Sequence, residues 1–130
     1  MSRKPLASVV LFVSDVLRVA NFYRELGAMC QVGGDAAHAV LEVDGFQLVV
    51  HQLRGGPEPS VGADGGPLVR EDAYTKICIP VESIAAARER ARLFGGSVRS
   101  SGFEWQTSAF RACDGHDPEG NVIQVREAIR

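Results

Sequence analysis

The sequence has no excess of charge of either sign: 14 Lys and Arg residues face 16 Asp and Glu residues, for a formal net charge of −2. Without a basic surface, no nucleic-acid partner is expected. The longest apolar runs, at 9–13 and 48–50, are far too short to cross a bilayer, so no membrane partner is expected either. The first residues carry charge but no apolar segment that would act as a signal peptide, so the predicted location is the cytoplasm.

Cysteine is scarce, and sequence motifs of several enzyme classes are absent. Cys30, Cys78 and Cys113 are widely spaced without a Cys-x-x-Cys pair, which argues against a disulfide framework and against a structural zinc site. Cys78 and Cys113 lie in apolar strand patterns, so they are predicted to be small buried hydrophobic residues. No phosphate loop, Rossmann glycine pattern or Ser-His-Asp order supports a kinase, nicotinamide or hydrolase function.

What is present is an ordinary globular composition and a strand-helix-strand pattern. At 130 residues, with 45% hydrophobic and 23% charged residues, the chain fits one domain, 1–130. An apolar strand at 7–13 leads to Ser14 and Asp15, which are N-cap residues. Gly27 is predicted to end the following helix with a positive φ. The predicted buried stripe of this helix consists of Val16, Val19, Ala20 and Tyr23.

Strand patterns follow on both sides of a breaker-rich segment. Asp44-Gly45 is a two-residue turn of the primed type between two strands. A linker rich in Gly and Pro follows, and Ser83 then caps a second helix with the apolar stripe Ile84, Ala87, Ala91 and Phe94, which Gly95 and Gly96 end. The predicted strands after the first are 29–32, 39–43, 46–53, 77–81, one around Val98, 109–113 and 122–125; a turn at 117–121 joins the last two.

The two halves of the pattern superimpose. Val13 and Val81, like Gly27 and Gly95, are 68 residues apart, and the hairpin glycines Gly45 and Gly120 are 75 apart. The sequence therefore predicts an α+β domain of two βαβββ modules, at 7–53 and 74–128, joined by a linker at 54–73.

Two segments of the chain resemble a known family. Val-Ser-Asp at 13–15 with Phe-Tyr-Arg-Glu-Leu-Gly at 22–27, and Asp-Pro-Glu-Gly-Asn-Val-Ile-Gln at 117–124, resemble the vicinal oxygen chelate superfamily. This superfamily includes glyoxalase I, bleomycin-resistance proteins and extradiol dioxygenases. The resemblance implies that the modules form curved mixed sheets facing each other around a cleft. It also implies a homodimer, as in most relatives.

The metal site of the superfamily has no full counterpart in this sequence. The resemblance places ligands of metal-dependent members at Ser8, Val49, Lys76 and Gln124. Val49 has no donor atom, the charge of Lys76 opposes a cation and Ser8 is a weak ligand, so only Gln124 is suitable. No metal and no other cofactor is predicted. A divalent metal site formed by other residues is disfavoured, because the candidate ligands show no spacing typical of such sites. His38 is expected near a strand start and His116 in a loop. The candidate ligands are His38, His51, His116, Glu42 and Glu104.

Strand alternation and the resemblance together predict the residues that line the cleft. Lys76 shares a strand face with Cys78, and either reaches into water or binds an anionic or oxygen-rich ligand. Trp105 lies in a polar segment predicted as a loop, where it either covers the ligand as a lid or packs on the outer sheet or a dimer interface. The predicted ligand-binding residues are Ser8, Phe12, Val49, His51, Lys76, Trp105, Phe110 and Gln124.

Three functions are compatible with this pattern. The first is a metal-independent relative of the glyoxalase and bleomycin-resistance proteins that binds a small organic molecule in the cleft. The second is a lyase, isomerase or dioxygenase that uses a non-standard metal site or acid-base chemistry by Lys76 and His51, the catalytic candidates. The third is a dimeric interaction domain with a vestigial cleft.

Overall fold

A βαβββ module and a second module of the same kind with one extra short strand make up most of the protein in the computed structural model, which describes residues 4–27, 29–55 and 59–129. Module 1 consists of β1 (Ala7–Val13), α1 (Val16–Leu26), β2 (Cys30–Gly34), β3 (His38–Val43) and β4 (Phe46–Gln52). Module 2 consists of β5 (Ile77–Pro80), α2 (Ile84–Leu93), β6 (Ser97–Val98), a 3-10 helix (Ser101–Phe103), β7 (Trp105–Gln106), β8 (Phe110–His116) and β9 (Val122–Ala128).

Each module forms a mixed sheet, as predicted. The strand order is β1-β4-β3-β2 in module 1 and β5-β9-β8-β6 in module 2, where β7 also pairs with β8. The first strand of each module runs parallel to the last one, and the other pairs are antiparallel. The structure has one strand more than expected, because Trp105 and Gln106 were predicted as loop but pair with Ala112 and Arg111.

Helix α1 begins and packs as its sequence predicts. The carboxylate of Asp15 accepts a hydrogen bond from the Arg18 amide at 3.1 Å, which caps the first turn. The prediction for Gly27 is wrong in its reason, since its φ is 179°, an extended value. A Cβ atom at this position would lie 2.9 Å from Cγ1 of Val81, so close packing against module 2 is what restricts the site to glycine. The residues buried along α1 are Val16, Val19, Ala20, Phe22, Tyr23 and Leu26.

Helix α2 covers one face of the second sheet in the same way. The hydroxyl of Ser83 accepts from the Ala86 amide at 3.1 Å, and the Glu127 carboxylate accepts from the Ile84 amide at 2.8 Å. Gly95 follows the helix with a φ of 93°. The core lies between each helix and its sheet, so the opposite face of each sheet has no helix on it.

Several local predictions can be compared with the structure directly. Asp44 and Gly45 have φ values of 47° and 80°, which confirms a primed hairpin turn. Cys113 is buried as expected, but Cys78 is exposed because it lies on the face of β5 away from the helix; Cys30 is exposed as well. His116 is the last residue of β8, not a loop residue.

Among the described residues, no helix is long and apolar enough to span a membrane.

The turn at 117–121 joins the two modules through two carboxylates. Asp117 is fully buried and accepts hydrogen bonds from the Tyr23 hydroxyl at 2.8 Å and from the Asn121 amide at 3.0 Å. Burial raises the pKa of the Asp117 carboxyl, although these hydrogen bonds act in the opposite direction. Glu119 accepts from the backbone amides of Ser14 and Asp15, each at 2.8 Å. Module 2 is therefore fastened to the beginning of α1.

The buried hydroxyl of Tyr23 makes stability depend on pH in the alkaline range. Burial, and then the charge and hydrogen bond of Asp117, raise the pKa of Tyr23 well above its usual value. In the unfolded chain Tyr23 ionises at about pH 10, so the stability it provides is complete below that pH and is lost as the pH rises above it. We expect the free energy of unfolding, measured with urea, to fall more steeply in this range for wild type than for Tyr23→Phe. Equal slopes would contradict the prediction, and Tyr74→Phe, which alters an exposed ring, is the control.

Candidate functional site

The faces of the two sheets that carry no helix contain all the predicted ligand residues, and we call them the open faces of modules 1 and 2. On the open face of module 1, the parallel register places Val10 beside Val49 and Phe12 beside His51. The rings of Phe12 and His51 are 5.7 Å apart, and His38, opposite His51 on β3, stacks on it at 6.1 Å. Phe12 is 55% exposed, so this face presents an apolar and imidazole surface to solvent.

A continuous chain of polar side chains crosses the open face of module 2. The Lys76 ammonium lies 2.9 Å from Oδ2 of Asp114. The other carboxylate oxygen of Asp114 accepts from Nε2 of Gln124 at 3.0 Å. The side-chain oxygen of Gln124 in turn accepts from Nε of Arg126 at 2.7 Å. Gln124 is only 6% exposed. Its amide nitrogen donates to a carboxylate and its amide oxygen accepts from a guanidinium, so the amide is held in one orientation.

The polar chain of side chains that ends at Arg126 lies against two aromatic rings. The Arg126 guanidinium carbon lies 4.2 Å from the centre of the Phe110 ring, and Trp105 packs edge-on against Phe110 at 5.9 Å. The segment that carries Trp105 is tied to α2, because Arg88 donates to the Arg99 carbonyl at 2.7 Å and to Glu104 at 2.6 Å. The lid hypothesis placed Trp105 on a loop, but Trp105 is part of strand β7.

Asp114 supplies the negative charge of the polar chain. Burial opposes ionisation of Asp114, but hydrogen bonds from Gln124 and Lys76 and the charges of Lys76 and Arg99 outweigh it, so the pKa of Asp114 lies below its usual value. Asp114 is therefore a carboxylate at neutral pH, and it neutralises the nearby ammonium group.

A cavity of about 720 Å³ adjoins the Lys76 end of the polar chain. Its floor comes from β8 and β9, and one wall comes from residues 69–75, so the end of the predicted linker borders the open face of module 2. Backbone contacts hold this wall in place, since the Arg70 amide donates to the Gly120 carbonyl at 2.8 Å. The lining residues are Val69, Glu71, Ala73, Tyr74, Thr75, Lys76, Arg99, Asp114, Gly115, His116 and Val122.

The predicted ligand residues form two separate sets. Ser8, Phe12, Val49 and His51 lie on the open face of module 1, and Lys76, Trp105, Phe110 and Gln124 lie on that of module 2. Within the described part of the chain, no hydrogen bond, ion pair or ring contact joins one set to the other.

Sequence reasoning missed two members of the polar chain. Asp114 lies four residues after Phe110 and Arg126 lies two residues after Gln124, so strand alternation places each on the same face as a residue already selected. The signal in the sequence is a charged residue an even number of positions from a selected residue of the same strand. Lys76 and Asp114 are 38 residues apart, and only the sheet register brings them together.

The four positions that the family resemblance predicts as metal ligands carry side chains that do not fit a metal ion. The Gln124 oxygen is already the acceptor for the Arg126 guanidinium, and the Lys76 ammonium is paired with Asp114. Val49 has no donor atom, and Ser8 lies on the edge strand of the other sheet. In residues 4–27, 29–55 and 59–129, no three His, Cys, Asp or Glu side chains cluster in a way that would hold a metal ion.

Comparison with known proteins identifies the fold. No protein-family model matches the sequence, and no curated protein is significantly similar to it. Solved structures do match: an integron cassette protein from V. cholerae has 23% identity and a TM-score of 0.62, over 98% of this chain and 97% of its own. A glyoxalase/bleomycin resistance protein from Albidiferax ferrireducens has 14% identity and a TM-score of 0.67, over 95% and 98%.

A genomically encoded fosfomycin resistance protein from Listeria monocytogenes is similar in the same way, with 12% identity and a TM-score of 0.63 over 98% of this chain and 96% of its own. At such identities the likeness shows the fold alone. The chain has the fold of the glyoxalase/bleomycin resistance proteins, which confirms the predicted resemblance at the level of architecture.

Proposed function

We propose that this protein binds a small organic molecule on its open faces without using a metal ion. The observation that carries the proposal is the polar chain from Lys76 through Asp114 and Gln124 to Arg126. Two of its members, Lys76 and Gln124, are at positions that the family resemblance predicts as metal ligands, and the polar chain ends beside exposed aromatic surface at one end and a cavity large enough for a small ligand at the other.

The names of structural relatives favour a small-molecule ligand. Two proteins with this fold are named for resistance to bleomycin or fosfomycin, which are organic molecules. This protein shares only their architecture, so the ligand itself is inferred from the side chains described above.

The binding unit is proposed to be a homodimer. Strands β1 and β5 are edge strands of their sheets, and β1 exposes Val10 and Phe12 on its open face. A second copy of the chain would cover this apolar surface and pair the open faces across a cleft. Light scattering tests the assembly, and a monomeric mass with ligand present would contradict it.

Neither alternative function has an observation in its favour. Base or nucleophilic chemistry by Lys76 requires a free amine, whereas its side chain is paired with Asp114 and partly exposed. The imidazole of His51 contacts the carbonyl of its neighbour Gln52 at 2.9 Å. The interaction-domain hypothesis gives no role to the ordered polar chain.

Removing the ammonium of Lys76 should weaken ligand binding and leave the fold intact. We expect compounds in a library of small organic molecules to raise the melting temperature of the wild type by binding its folded state. Lys76→Met should weaken the best of them by about tenfold, the scale of one hydrogen bond from a charged group. Lys4→Met, which alters the other lysine of the sequence, is the matched control.

The same melting scan distinguishes the metal-free proposal from its rivals. Zn, Ni, Co, Mn and Fe(II) should not stabilise the protein, and the purified protein should contain no stoichiometric metal. Stoichiometric metal that raises the melting temperature would contradict metal-free binding. A library without any stabilising compound would contradict small-molecule binding altogether.

A further inference from the structure

Arg126 is held in a fixed orientation and has no anionic partner among the described residues. Its Nε donates to Gln124 at 2.7 Å and its guanidinium lies over Phe110 at 4.2 Å, so both the direction and the plane of the group are set. Within residues 4–27, 29–55 and 59–129, no carboxylate lies within 4.0 Å of it. The arginines of the second module that do have a carboxylate partner are Arg88, Arg90, Arg92 and Arg111.

The remaining edge of this guanidinium is suited to a forked acceptor. Nε is already used, and neither Nη group donates to any described side chain or carbonyl. Two parallel N–H donors match the two oxygens of a carboxylate, and the geometry of the guanidinium favours such bidentate contacts. Arg126 is only partly exposed, so a charge-assisted contact there is screened less than at a fully exposed site.

The surroundings of Arg126 select both the charge and the body of the ligand. Lys76 is neutralised by Asp114, which leaves Arg126 as a net positive charge at the other end of the polar chain. Beside it, Phe110 and the 43% exposed ring of Trp105 offer an apolar surface. A molecule that satisfies both features carries an anionic group attached to an apolar, ring-sized body.

We infer that the ligand is an organic anion whose carboxylate binds the Nη edge of Arg126 while its apolar body lies against Phe110 and Trp105. This inference rests on the proposed function, because it specifies the class of molecule bound at that site. In this arrangement, the guanidinium supplies the positive charge on the open face that a metal ion would supply elsewhere. Gln124 acts as a positioning residue, since its amide sets the direction of the Arg126 side chain.

Trp105 provides a direct signal for the test, because it is the only tryptophan in the sequence. The probes are benzoate, phenylacetate and cinnamate, each compared with its primary amide, together with acetate as the charge without a ring. Binding is measured by calorimetry and by tryptophan fluorescence on the full-length protein. At least one aryl carboxylate should bind with a change in fluorescence, and about tenfold or more tighter than its amide.

The variants then assign the binding to the guanidinium. Arg126→Gln should weaken the aryl carboxylate by about 10- to 100-fold, and Arg126→Lys should be intermediate because it keeps the charge without the fork. Arg92→Gln removes the same charge from the exposed face of α2 and should leave binding unchanged. Melting temperatures show whether each variant is folded, and Phe110→Leu, which should also weaken binding, tests the site without altering its charge.

The outcomes separate this inference from the proposed function. Amides that bind as tightly as their carboxylates, or carboxylate binding that survives Arg126→Gln, would overturn the anion assignment and leave small-molecule binding standing. The same holds if library compounds bind but all three aryl carboxylates fail. Acetate that binds as tightly as the aryl acids would also overturn it, because the apolar body would then contribute nothing.

Discussion

Asp117→Ala should lower the free energy of unfolding by about 3–5 kcal/mol, because several buried donors lose their shared acceptor and each unsatisfied donor costs about 1–3 kcal/mol. The carboxylate accepts hydrogen bonds from the Tyr23 hydroxyl, the Glu119 amide, and the backbone and side-chain nitrogens of Asn121, all between 2.8 and 3.1 Å. Alanine would leave these donors without a partner in a site that the surrounding chain shields from water. Urea denaturation of the two proteins measures the difference.

An exposed aspartate with a similar turn contact is the control for this experiment. Asp64 accepts from the Gly66 amide at 3.0 Å on the surface of the linker segment, so Asp64→Ala should cost less than about 1 kcal/mol. If Asp117→Ala were as mild as this control, the buried carboxylate would not be what holds the turn to α1.

The local features of the fold could be predicted because they depend on neighbouring residues. Asp15 and Ser83 cap helices through amides three positions away, and Asp44-Gly45 sets a hairpin through its own backbone angles. Strand β7 was not predicted, because it depends on residues that are not its neighbours in the sequence. Two residues, Trp105 and Gln106, show no alternation, and their pairing depends on Ala112 and Arg111 of another strand.

The candidate site was only partly predictable, because its contacts are set by sheet register. The resemblance and strand alternation together assigned Lys76 and Gln124 to one face of the sheet, and both lie on the face opposite the helix, but neither argument shows which side chains meet there. Asp114 contacts both of these side chains because β9 pairs with β5 on one side and with β8 on the other. A residue missed in this way carries the negative charge that decides the electrostatics of the face.

The turn at 117–121 also connects the fold to the candidate site. Its local sequence predicts a reverse turn but not its distant contacts, in which Glu119 accepts from amides 104 and 105 residues earlier in the chain. Strand β9 begins directly after this turn and carries Gln124 and Arg126. The contact that fastens module 2 to α1 therefore also fixes the start of the strand on which the proposed ligand depends.

Glu119→Ala should consequently destabilise the protein by about 2–4 kcal/mol, since two backbone amides lose a charged acceptor of which only 6% is exposed. Glu127 is the matched control, because its carboxylate accepts from a single helix-start amide, that of Ile84, inside one module. Glu127→Ala should cost about 1 kcal/mol, the usual value of one helix cap.

Hydrogen exchange locates the effect of Glu119. In Glu119→Ala the amides of Ser14 and Asp15 should exchange much faster than in wild type, whereas Glu127→Ala should accelerate only Ile84 and its neighbours. Glu119→Gln keeps one acceptor oxygen and should fall between wild type and Glu119→Ala. Equal losses of stability in Glu119→Ala and Glu127→Ala, with Ser14 and Asp15 still protected, would show that the two modules are held together by their packed helices and not by this carboxylate.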